Sequence, residues 1–369
     1  MKLKAQFTIL LLISLSSFHL MGQLKLVDPK ATKQTKALYF NLKNLSEKAV
    51  LFGHQDDLAY GIGWRAEPGR SDIKEVSGAY PAVYGWEISK IGASMNIDSV
   101  DFKNMIGWIK EGYQRGGINT ISWHLDNLKT GGNSWDNTPS VKEILPGGSA
   151  HQLYLNKLDL FVDFVKKLKV NGQKVPILFR PFHEHTGNWF WWGAKQCTPE
   201  EYISLWQFTV KYLRNQKKLH NLIYVYATDV FKTKDHYLER YPGDDYVDIL
   251  AYDDYHSIKS KKGTEKLAER LKMLVELAEA KGKFAAFSET GLETVSIDNW
   301  WTDILLNGIQ KSETGSRIAY VMVWRNGYPG HYYAPYPGQK SAGDFIKFRK
   351  NPFTLFESDL PDMYKKPKD

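Results

Sequence analysis

The stretch VPILFRPFHEHTGNWFWWG, residues 175–193, determines how the rest of the chain is interpreted. It begins with an apolar run, Val175–Phe179, whose composition is typical of a strand buried on both faces. Polar and aromatic side chains then follow within a few residues: Arg180, His183, Glu184, His185, Trp189, Phe190, Trp191 and Trp192. Charged groups are rarely buried unless they are paired, and clustered indoles form an apolar platform beside a cleft. The stretch therefore predicts a buried strand whose end lines a functional site.

The composition is that of an ordinary globular protein with a mildly basic charge. The chain has 369 residues, and 49 Lys and Arg against 41 Asp and Glu give a formal net charge of +8. No block of basic residues and no nucleic-acid-binding motif accompanies this charge, so we expect a solvated basic surface and no nucleic-acid partner. The 12 Trp and 21 Tyr are numerous, which favours a ligand with apolar faces.

The N-terminus has the pattern of a secretory signal peptide. Lysines in Met1–Lys4 precede a largely apolar run, Thr8–Leu20, which is too short for a stable membrane span. We expect cleavage near Gly22 or Gln23, which leaves residues 23–369 as one catalytic domain. Cys197 is the only cysteine, so we expect neither a lipid-anchored N-terminus nor a disulfide. The protein is predicted to be a monomer without a membrane anchor, exported to the periplasm or secreted.

Eight short apolar segments alternate with helical patterns along the chain. They are Ala49–Phe52, Pro81–Tyr84, Ile118–Trp123, Val175–Phe179, Leu222–Tyr226, Val247–Ala251, Phe284–Phe287 and Ile318–Val323. Such alternation predicts a parallel sheet, and eight repeats predict a single-domain α/β fold, a closed (β/α)8 TIM barrel. An open doubly wound sheet is the alternative, although the chain has no Gly-rich turn of the dinucleotide-binding type.

The helices are predicted from apolar spacing and from their start and stop signals. The expected helical segments are Ala31–Leu45, Asp98–Tyr113, a stripe from Leu155 to Leu168 closed by Asn171-Gly172, a helix started by the capping box Thr198-Pro199-Glu200-Glu201, Thr264–Lys281 and Ser296–Gln310.

Polar residues follow nearly every predicted strand at its C-terminal end, where barrels carry their active sites. Glu184 follows the fourth strand and Glu289 the seventh, so a closed barrel would place both at one mouth. A pair of carboxylic acids is what glycoside hydrolysis needs, with ~5–5.5 Å between them when configuration is retained. The pKa values of the two acids must differ, so that one is protonated while the other is ionised. Arg180 precedes Glu184 by an even spacing and could keep a nearby carboxylate charged.

A sugar substrate would also explain the tryptophans, because indole packs against the apolar faces of pyranose rings. Six of them lie at strand ends or in the loops that follow: Trp86, Trp123, Trp135, Trp189, Trp192 and Trp324. We expect Trp189 and Trp324 to line the cleft, whereas Trp191 and Trp206 are expected in the core.

Two other kinds of chemistry remain as alternatives. His183-Glu184-His185 and the group His54, Asp56 and Asp57 supply ligand types suited to Zn²⁺, but the spacing is not that of a helical His-Glu-x-x-His site. A serine or cysteine nucleophile has less support, because there is no Gly-x-Ser-x-Gly elbow. We therefore expect neither a metal nor a cofactor. Of Asp253 and Asp254, one could brace an arginine at the barrel mouth.

These residues together resemble glycoside hydrolase family 26, the β-mannanases, over nearly the whole mature chain. The resemblance is carried by Gly53-His54-Gln55-Asp56-Asp57 with Tyr60-Gly61, Ser122-Trp123-His124, Arg180-Pro181-Phe182-His183-Glu184, Gly187-Asn188-Trp189-Phe190-Trp191-Trp192-Gly193 and Ser288-Glu289-Thr290-Gly291. It implies that Glu184 is the acid/base and Glu289 the nucleophile of a retaining double displacement, with His183 positioning the pair. His185-Thr186 departs from the Met-Asn often found there.

The resemblance also implies which side chains contact the substrate. His124, Trp189 and Tyr255 match positions that hold the sugar at the cleavage point, and Trp324 and Arg325 line the same cleft. Further candidates for contacts with the substrate are His183, Arg180, His54, Asp57 and Trp135.

The expected function is a retaining endo-β-1,4-mannanase that acts on mannan, galactomannan or glucomannan. An exo-acting mannobiohydrolase on the same scaffold is an alternative, in which the loops 127–146 and 328–338 would wall off one end of the groove. Weaker alternatives are a β-xylanase, a non-catalytic glycan-binding barrel and a zinc-dependent hydrolase.

Overall fold

The computed structural model of the chain describes residues 25–366. The predicted signal peptide, residues 1–22, lies outside them. Across the described range, no helix combines the length and the apolar character that a membrane crossing requires.

Eight parallel strands form a closed barrel. They are β1 (Val50–Gln55), β2 (Val83–Glu87), β3 (Ile118–Trp123), β4 (Ile177–Pro181), β5 (Leu222–Thr228), β6 (Ile249–Asp254), β7 (Phe284–Thr290) and β8 (Ile318–Val323). Each strand pairs with the next one in the chain, and β8 pairs with β1. The predicted (β/α)8 barrel is therefore confirmed, and the open doubly wound sheet is wrong. A short strand β9 (Thr354–Leu355) pairs with the start of β1.

The helices surround this barrel. They are α1 (Lys33–Ser46), α2 (Asp72–Ser77), α3 (Phe102–Arg115), α4 (Val141–Ile144), α5 (His151–Lys167), α6 (Pro199–Lys211), α7 (Lys234–Leu238), α8 (Thr264–Ala280), α9 (Asn307–Gln310) and α10 (Ala342–Lys350), with π-helical turns at Tyr212–Gln216 and Trp301–Leu306. The predicted capping box is confirmed: Thr198 Oγ1 accepts the Glu201 N–H at 3.2 Å, and the Glu201 carboxylate accepts the Thr198 N–H at 3.0 Å.

Two of the predicted helix boundaries are wrong. α5 ends at Lys167, and Asn171-Gly172 instead forms the turn between the paired segments Lys169–Val170 and Gln173–Lys174. Both turn residues have positive φ, 50° and 77°, which is the conformation that Asn-Gly favours in a two-residue hairpin. The segment from residue 296 to 310 was predicted as one helix, but its helical backbone begins only near Trp300.

Most strands reach further towards their C-terminal ends than the apolar pattern indicates. The last residues of β1, β2 and β6 are Gln55, Glu87 and Asp254. Polar side chains interrupt the apolar run there, but backbone pairing continues through them. Gln55, Glu87 and Asp254 are consequently held on strands rather than on loops.

The N-terminal end of the barrel is closed by the segment that leads into α1. The buried carboxylate of Asp248, just before β6, accepts the Val27 N–H at 2.7 Å and the Tyr224 N–H at 2.8 Å. The hydroxyl of Tyr39 on α1 donates to the Asp248 carbonyl at 3.1 Å. One carboxylate thus connects the N-terminal segment, β5 and the start of β6.

Replacement of Asp248 by alanine should destabilise the fold by about 2–4 kcal/mol, because two buried N–H groups lose their acceptor. Urea unfolding of the variant and the parent protein measures this difference. Asp245→Ala removes an exposed carboxylate a few residues away and should change stability by less than about 0.5 kcal/mol. Equal effects of the two substitutions would contradict the assigned role of Asp248.

Candidate active site

The alternation of side chains along β4 decides which of its residues face the barrel interior. Ile177 and Phe179 pack outwards against the helices, whereas Leu178 belongs to the inner cluster. Arg180 shares the inward face of Leu178 and is completely buried. Its guanidinium donates to Asp253 Oδ2 on β6 at 2.6 Å and to Glu289 Oε2 on β7. Asp253 is therefore the acid that braces a mouth arginine, as one of the two strand-six acids was expected to do.

A β-bulge in β7 brings Glu289 to this arginine. Phe287 pairs with Tyr252, but Glu289 pairs with the very next residue of β6, Asp253, so Ser288 is the extra residue. Strict alternation would send Glu289 outwards with Phe287. The inserted residue turns Glu289 inwards, a known use of bulges beside active sites. Ser288 then donates its hydroxyl to Asp253 Oδ1 at 2.6 Å.

Glu289 is held by two donors at the barrel mouth. The Arg180 guanidinium donates to Oε2, and the Tyr255 hydroxyl donates to Oε1 at 2.8 Å. These bonds fix the direction of the carboxylate, because they come from β4 and from the loop after β6. Its side chain is nearly buried, with 8% of its surface exposed.

Glu184 lies in the turn that follows β4 and has a left-handed backbone with φ of 54°. Phe182, two residues earlier, is also left-handed, with φ of 49°. Such conformations cost energy in residues other than glycine and cluster at functional sites. The Glu184 N–H donates to the Ala227 carbonyl at the end of β5 at 3.0 Å, and its carboxyl accepts the indole N–H of Trp189 at 2.7 Å.

Glu184 and Glu289 differ in their electrostatic surroundings. Burial, and then the negative charge of Glu289, hold the pKa of the Glu184 carboxyl well above its ordinary value. Trp189, the side chain that donates to Glu184, is neutral, whereas Glu289 forms an ion pair with a guanidinium. The site therefore combines one carboxyl that tends to keep its proton with one that is paired with a cation, an asymmetry that acid-assisted displacement at a sugar requires.

His124 is fixed by Glu87 at the end of β2. Glu87 accepts the His124 backbone N–H at 2.8 Å and contacts His124 Nδ1 at 2.6 Å. Although burial opposes it, the Glu87 charge raises the pKa of His124. The ring of His183 meets the His124 ring edge-on, with 4.6 Å between centroids. Burial, with the Arg180 and His124 charges, lowers the pKa of His183 well below its ordinary value, so its imidazole is neutral.

Aromatic rings form a wall around His124 and Glu184. The members of this aromatic wall are Trp135, Trp189, Phe190 and Trp324. Trp135 stacks on the His124 ring at 5.3 Å with 14° between planes, and it is 46% exposed. Trp324 lies 6.3 Å from the same ring, edge-on. Phe190 packs 5.2 Å from His124 and 6.2 Å from Trp189. Trp189 thus borders Glu184, Trp135 and Trp324 border His124, and each of the three indoles has surface left for a ligand.

Arg325, directly after β8 and Trp324, links two sides of the mouth. Its guanidinium forms an ion pair with Asp98 of the loop after β2 at 3.0 Å and contacts the Tyr60 hydroxyl at 3.4 Å. Tyr60 in turn donates to Asp56 at 2.6 Å. The predicted position of Arg325 beside Trp324 at the mouth is thus observed.

Several side chains that were predicted to contact a substrate are buried in the structure. His54 and Asp57 are each 1% exposed, and His54 Nδ1 contacts Asp57 Oδ1 at 2.8 Å. Arg180 is 0% exposed and His183 1%, so both act on the site through other residues. Three of the strand-end tryptophans, Trp86, Trp123 and Trp192, are also buried, and Trp191 and Trp206 lie in the core as expected.

Glu87, Phe190 and Asp98 were given no role by the sequence. Glu87 stands at a strand end, which is the signal that could have identified it. The two histidines of His183-Glu184-His185 pack in different clusters, since His185 contacts Tyr202 and Tyr226. Within residues 25–366, no three His, Cys, Asp or Glu side chains are arranged to hold a metal ion.

A closed (β/α)8 barrel with paired carboxyls and exposed indoles at the C-terminal ends of its strands defines a glycoside hydrolase. The chain belongs to glycosyl hydrolase family 26, whose family model matches residues 27–326. The predicted family is thereby confirmed.

Solved structures and curated relatives agree with this assignment. The chain is similar to a family 26 β-mannanase from Bacteroides ovatus, with 44% identity, a TM-score of 0.87 and coverage of 90% of this chain and 98% of that one. An endo-β-1,4-mannanase from Cellulomonas fimi is 34% identical with a TM-score of 0.87, over 93% of this chain and 80% of that one. A mannan endo-1,4-β-mannosidase of Bifidobacterium adolescentis is 32% identical over 360 residues, which are 90% of this chain but only 35% of that relative's length.

Glu184 should make stability depend on pH. Its pKa is raised in the folded state, so between its unfolded and folded pKa values the folded protein binds more protons and loses stability as pH rises. Glu184→Gln removes the titrating group and therefore the loss of stability that its ionisation causes. The variant's stability advantage over the parent should be absent below the ordinary carboxyl pKa and should grow as pH rises towards the folded pKa of Glu184.

Urea unfolding at a series of pH values measures this difference. Glu313→Gln, at an exposed glutamate, is the matched control and should change stability by less than about 0.5 kcal/mol. A pH-independent difference between Glu184→Gln and the parent would contradict the raised pKa of Glu184.

Proposed function

We propose that this protein is a retaining endo-β-1,4-mannanase that hydrolyses mannan, galactomannan or glucomannan. The observation that carries the proposal is the contrast between Glu184, whose pKa is raised and whose donor is an uncharged indole, and Glu289, which is paired with Arg180. The names of the similar proteins support the substrate, since several are called mannan endo-1,4-β-mannosidase. The proposed chemistry needs no cofactor or metal.

In the proposed reaction, Glu289 attacks the anomeric carbon while Glu184 gives its proton to the leaving glycosidic oxygen. The result is a covalent glycosyl-enzyme and a released sugar chain. Water then attacks the same carbon, Glu184 takes a proton from it, and the Glu289 carboxylate is regenerated with net retention of configuration. Arg180 and Tyr255 hold the attacking carboxylate in position before the first step.

The aromatic wall supplies the sugar contacts in this proposal. Trp189 and Trp324 border the cleavage point, and Trp135 extends the wall outwards from His124. Apolar ring faces of the substrate pack on the indoles, and the hydroxyls of the sugar meet polar groups such as His124 and Arg325. The combination of few polar groups with aromatic surface is typical of a site that orients a polyhydroxylated ligand.

Glu184→Ala and Glu289→Ala are expected to lower kcat on mannan by roughly two to four orders of magnitude. Glu289→Ala should also lose the covalent intermediate on every substrate. Glu184→Ala should lose much less activity on aryl glycosides with good leaving groups, because these substrates need little acid assistance. Reducing-sugar assays measure these effects, with Glu313→Ala as a control at an exposed glutamate. Hydrolysis at the parent rate by either site variant would exclude the assigned mechanism.

The product profile distinguishes endo cleavage from its exo-acting alternative. An endo enzyme releases mixed oligosaccharides early in a mannan digest, whereas a mannobiohydrolase releases one disaccharide from the start. We expect mixed oligosaccharides, and parallel digests of mannan and galactomannan also report the tolerance of galactosyl branches. A single early disaccharide would instead support a groove closed at one end by the loops 127–146 or 328–338.

We also propose that the protein is an exported monomer, periplasmic or secreted. The support is the charged start and apolar run of residues 1–20. Mass spectrometry of the protein purified from its native host should find a new N-terminus near Gly22 or Gln23. Recovery of the protein from the cytoplasmic fraction with residues 1–22 still attached would exclude export.

A further inference from the structure

The loop after β8 carries an exposed aromatic ring that the site described above does not use. Tyr328 is 60% exposed. The large apolar or aromatic side chains exposed among residues 25–366 are Met95, Trp135, Leu153, Leu160 and Tyr328. Leu153 and Leu160 lie on α5, outside the barrel, but the other three lie on loops that follow β2, β3 and β8. Exposed apolar groups are therefore concentrated around the mouth.

Tyr328 is held rigidly despite its exposure. Its N–H donates to the His331 carbonyl at 3.2 Å, and the His331 N–H donates back to the Tyr328 carbonyl at 2.8 Å, which closes a tight turn over Pro329 and Gly330. The Tyr328 ring stacks on the His331 ring, with 5.6 Å between centroids and 25° between planes. His331 Nδ1 is fixed in turn by Glu293 of the loop after β7 at 2.8 Å.

This turn is connected to the reacting groups through a short series of rings. The His331 ring meets Tyr333 edge-on at 5.3 Å, and Tyr333 meets Tyr255 edge-on at 5.8 Å. Tyr255 donates directly to Glu289. Three ring contacts thus separate Tyr328 from the tyrosine that holds Glu289, so Tyr328 lies within a few sugar units of the cleavage point.

We propose that Tyr328, stacked on His331, is a sugar-binding platform for a hexopyranosyl unit of the mannan chain away from the cleaved bond. A preorganised ring with one open face loses little entropy when a sugar packs on it. The charged groups Glu293 and Arg325 lie beside it and can meet the sugar hydroxyls: Glu293 contacts His331, and Arg325 lies against Gly327. This proposal rests on the proposed mannanase function.

The test is the dependence of activity on substrate length. The parent, Tyr328→Ala, Tyr328→Phe and Leu153→Ala are compared on β-1,4-manno-oligosaccharides up to the hexasaccharide. Tyr328→Ala should lower kcat/KM on the hexasaccharide by about three- to tenfold, with a loss that shrinks as the substrate shortens. Tyr328→Phe should keep most of the parent's length dependence. Leu153→Ala, which removes another exposed apolar side chain, from α5, should match the parent.

Binding separates this proposal from the proposed function. In the Glu184→Gln background, calorimetric titration with the hexasaccharide should show weaker binding when Tyr328→Ala is added, whether or not the parent hydrolyses mannan. If the parent does not hydrolyse mannan but binds the hexasaccharide, and Tyr328→Ala weakens this binding, the mannanase function is rejected and the proposed role of Tyr328 is supported. Equal binding with and without Tyr328→Ala, or an equal loss of kcat/KM at every substrate length, would overturn the platform.

Discussion

The site depends on one buried cation shared by two carboxylates. Arg180 is inaccessible to solvent and pairs with Asp253 and Glu289, so three different strands of the barrel meet at its guanidinium. A buried charge without its partner costs about 3–5 kcal/mol, and each member therefore requires the others. Because Arg180, Asp253 and Glu289 all lie on strands of the barrel, the direction of Glu289 is set by the barrel itself rather than by a mobile loop. Tyr255 then needs to supply only a second, weaker constraint.

The difference between the two glutamates follows from where each stands relative to this cation. Glu289 reaches Arg180 because a bulge adds one residue to β7, whereas Glu184 lies past the end of β4 and meets an indole N–H instead. The Glu184 carboxyl is desolvated and faces the charge of Glu289, which raises its pKa. A cation on the inward face of a strand and an acid in the turn that follows are thus sufficient to place two identical side chains in different electrostatic surroundings.

The barrel, its strand order and the two glutamates could be predicted because they depend on local pattern: apolar runs, caps and polar strand ends. What could not be predicted depends on backbone detail. The bulge at Ser288 leaves no mark in the alternation, since the strand residues from Ser288 to Thr290 are all polar. The burial of His54 and Asp57 was missed because a histidine and an aspartate that hydrogen-bond to each other have the same sequence as a pair that meets a ligand. Asn171-Gly172 fits a helix stop and a hairpin turn equally well, and only the pairing beyond it decides.

The barrel mouth has two layers of side chains, one at the reacting atoms and one of aromatic groups further out. The two layers obey different structural constraints. Groups that touch the reacting atoms are carried on strand ends or on a turn tied to a neighbouring strand, so their geometry is fixed by the ladder of the barrel. The aromatic groups further out are carried on loops, which tolerate changes in length and sequence without disturbing the core. The Arg325–Asp98 ion pair lies between these layers and joins the loops after β8 and β2. A change in substrate length preference therefore requires altered loop residues only, whereas a change in chemistry requires a new arrangement around Arg180.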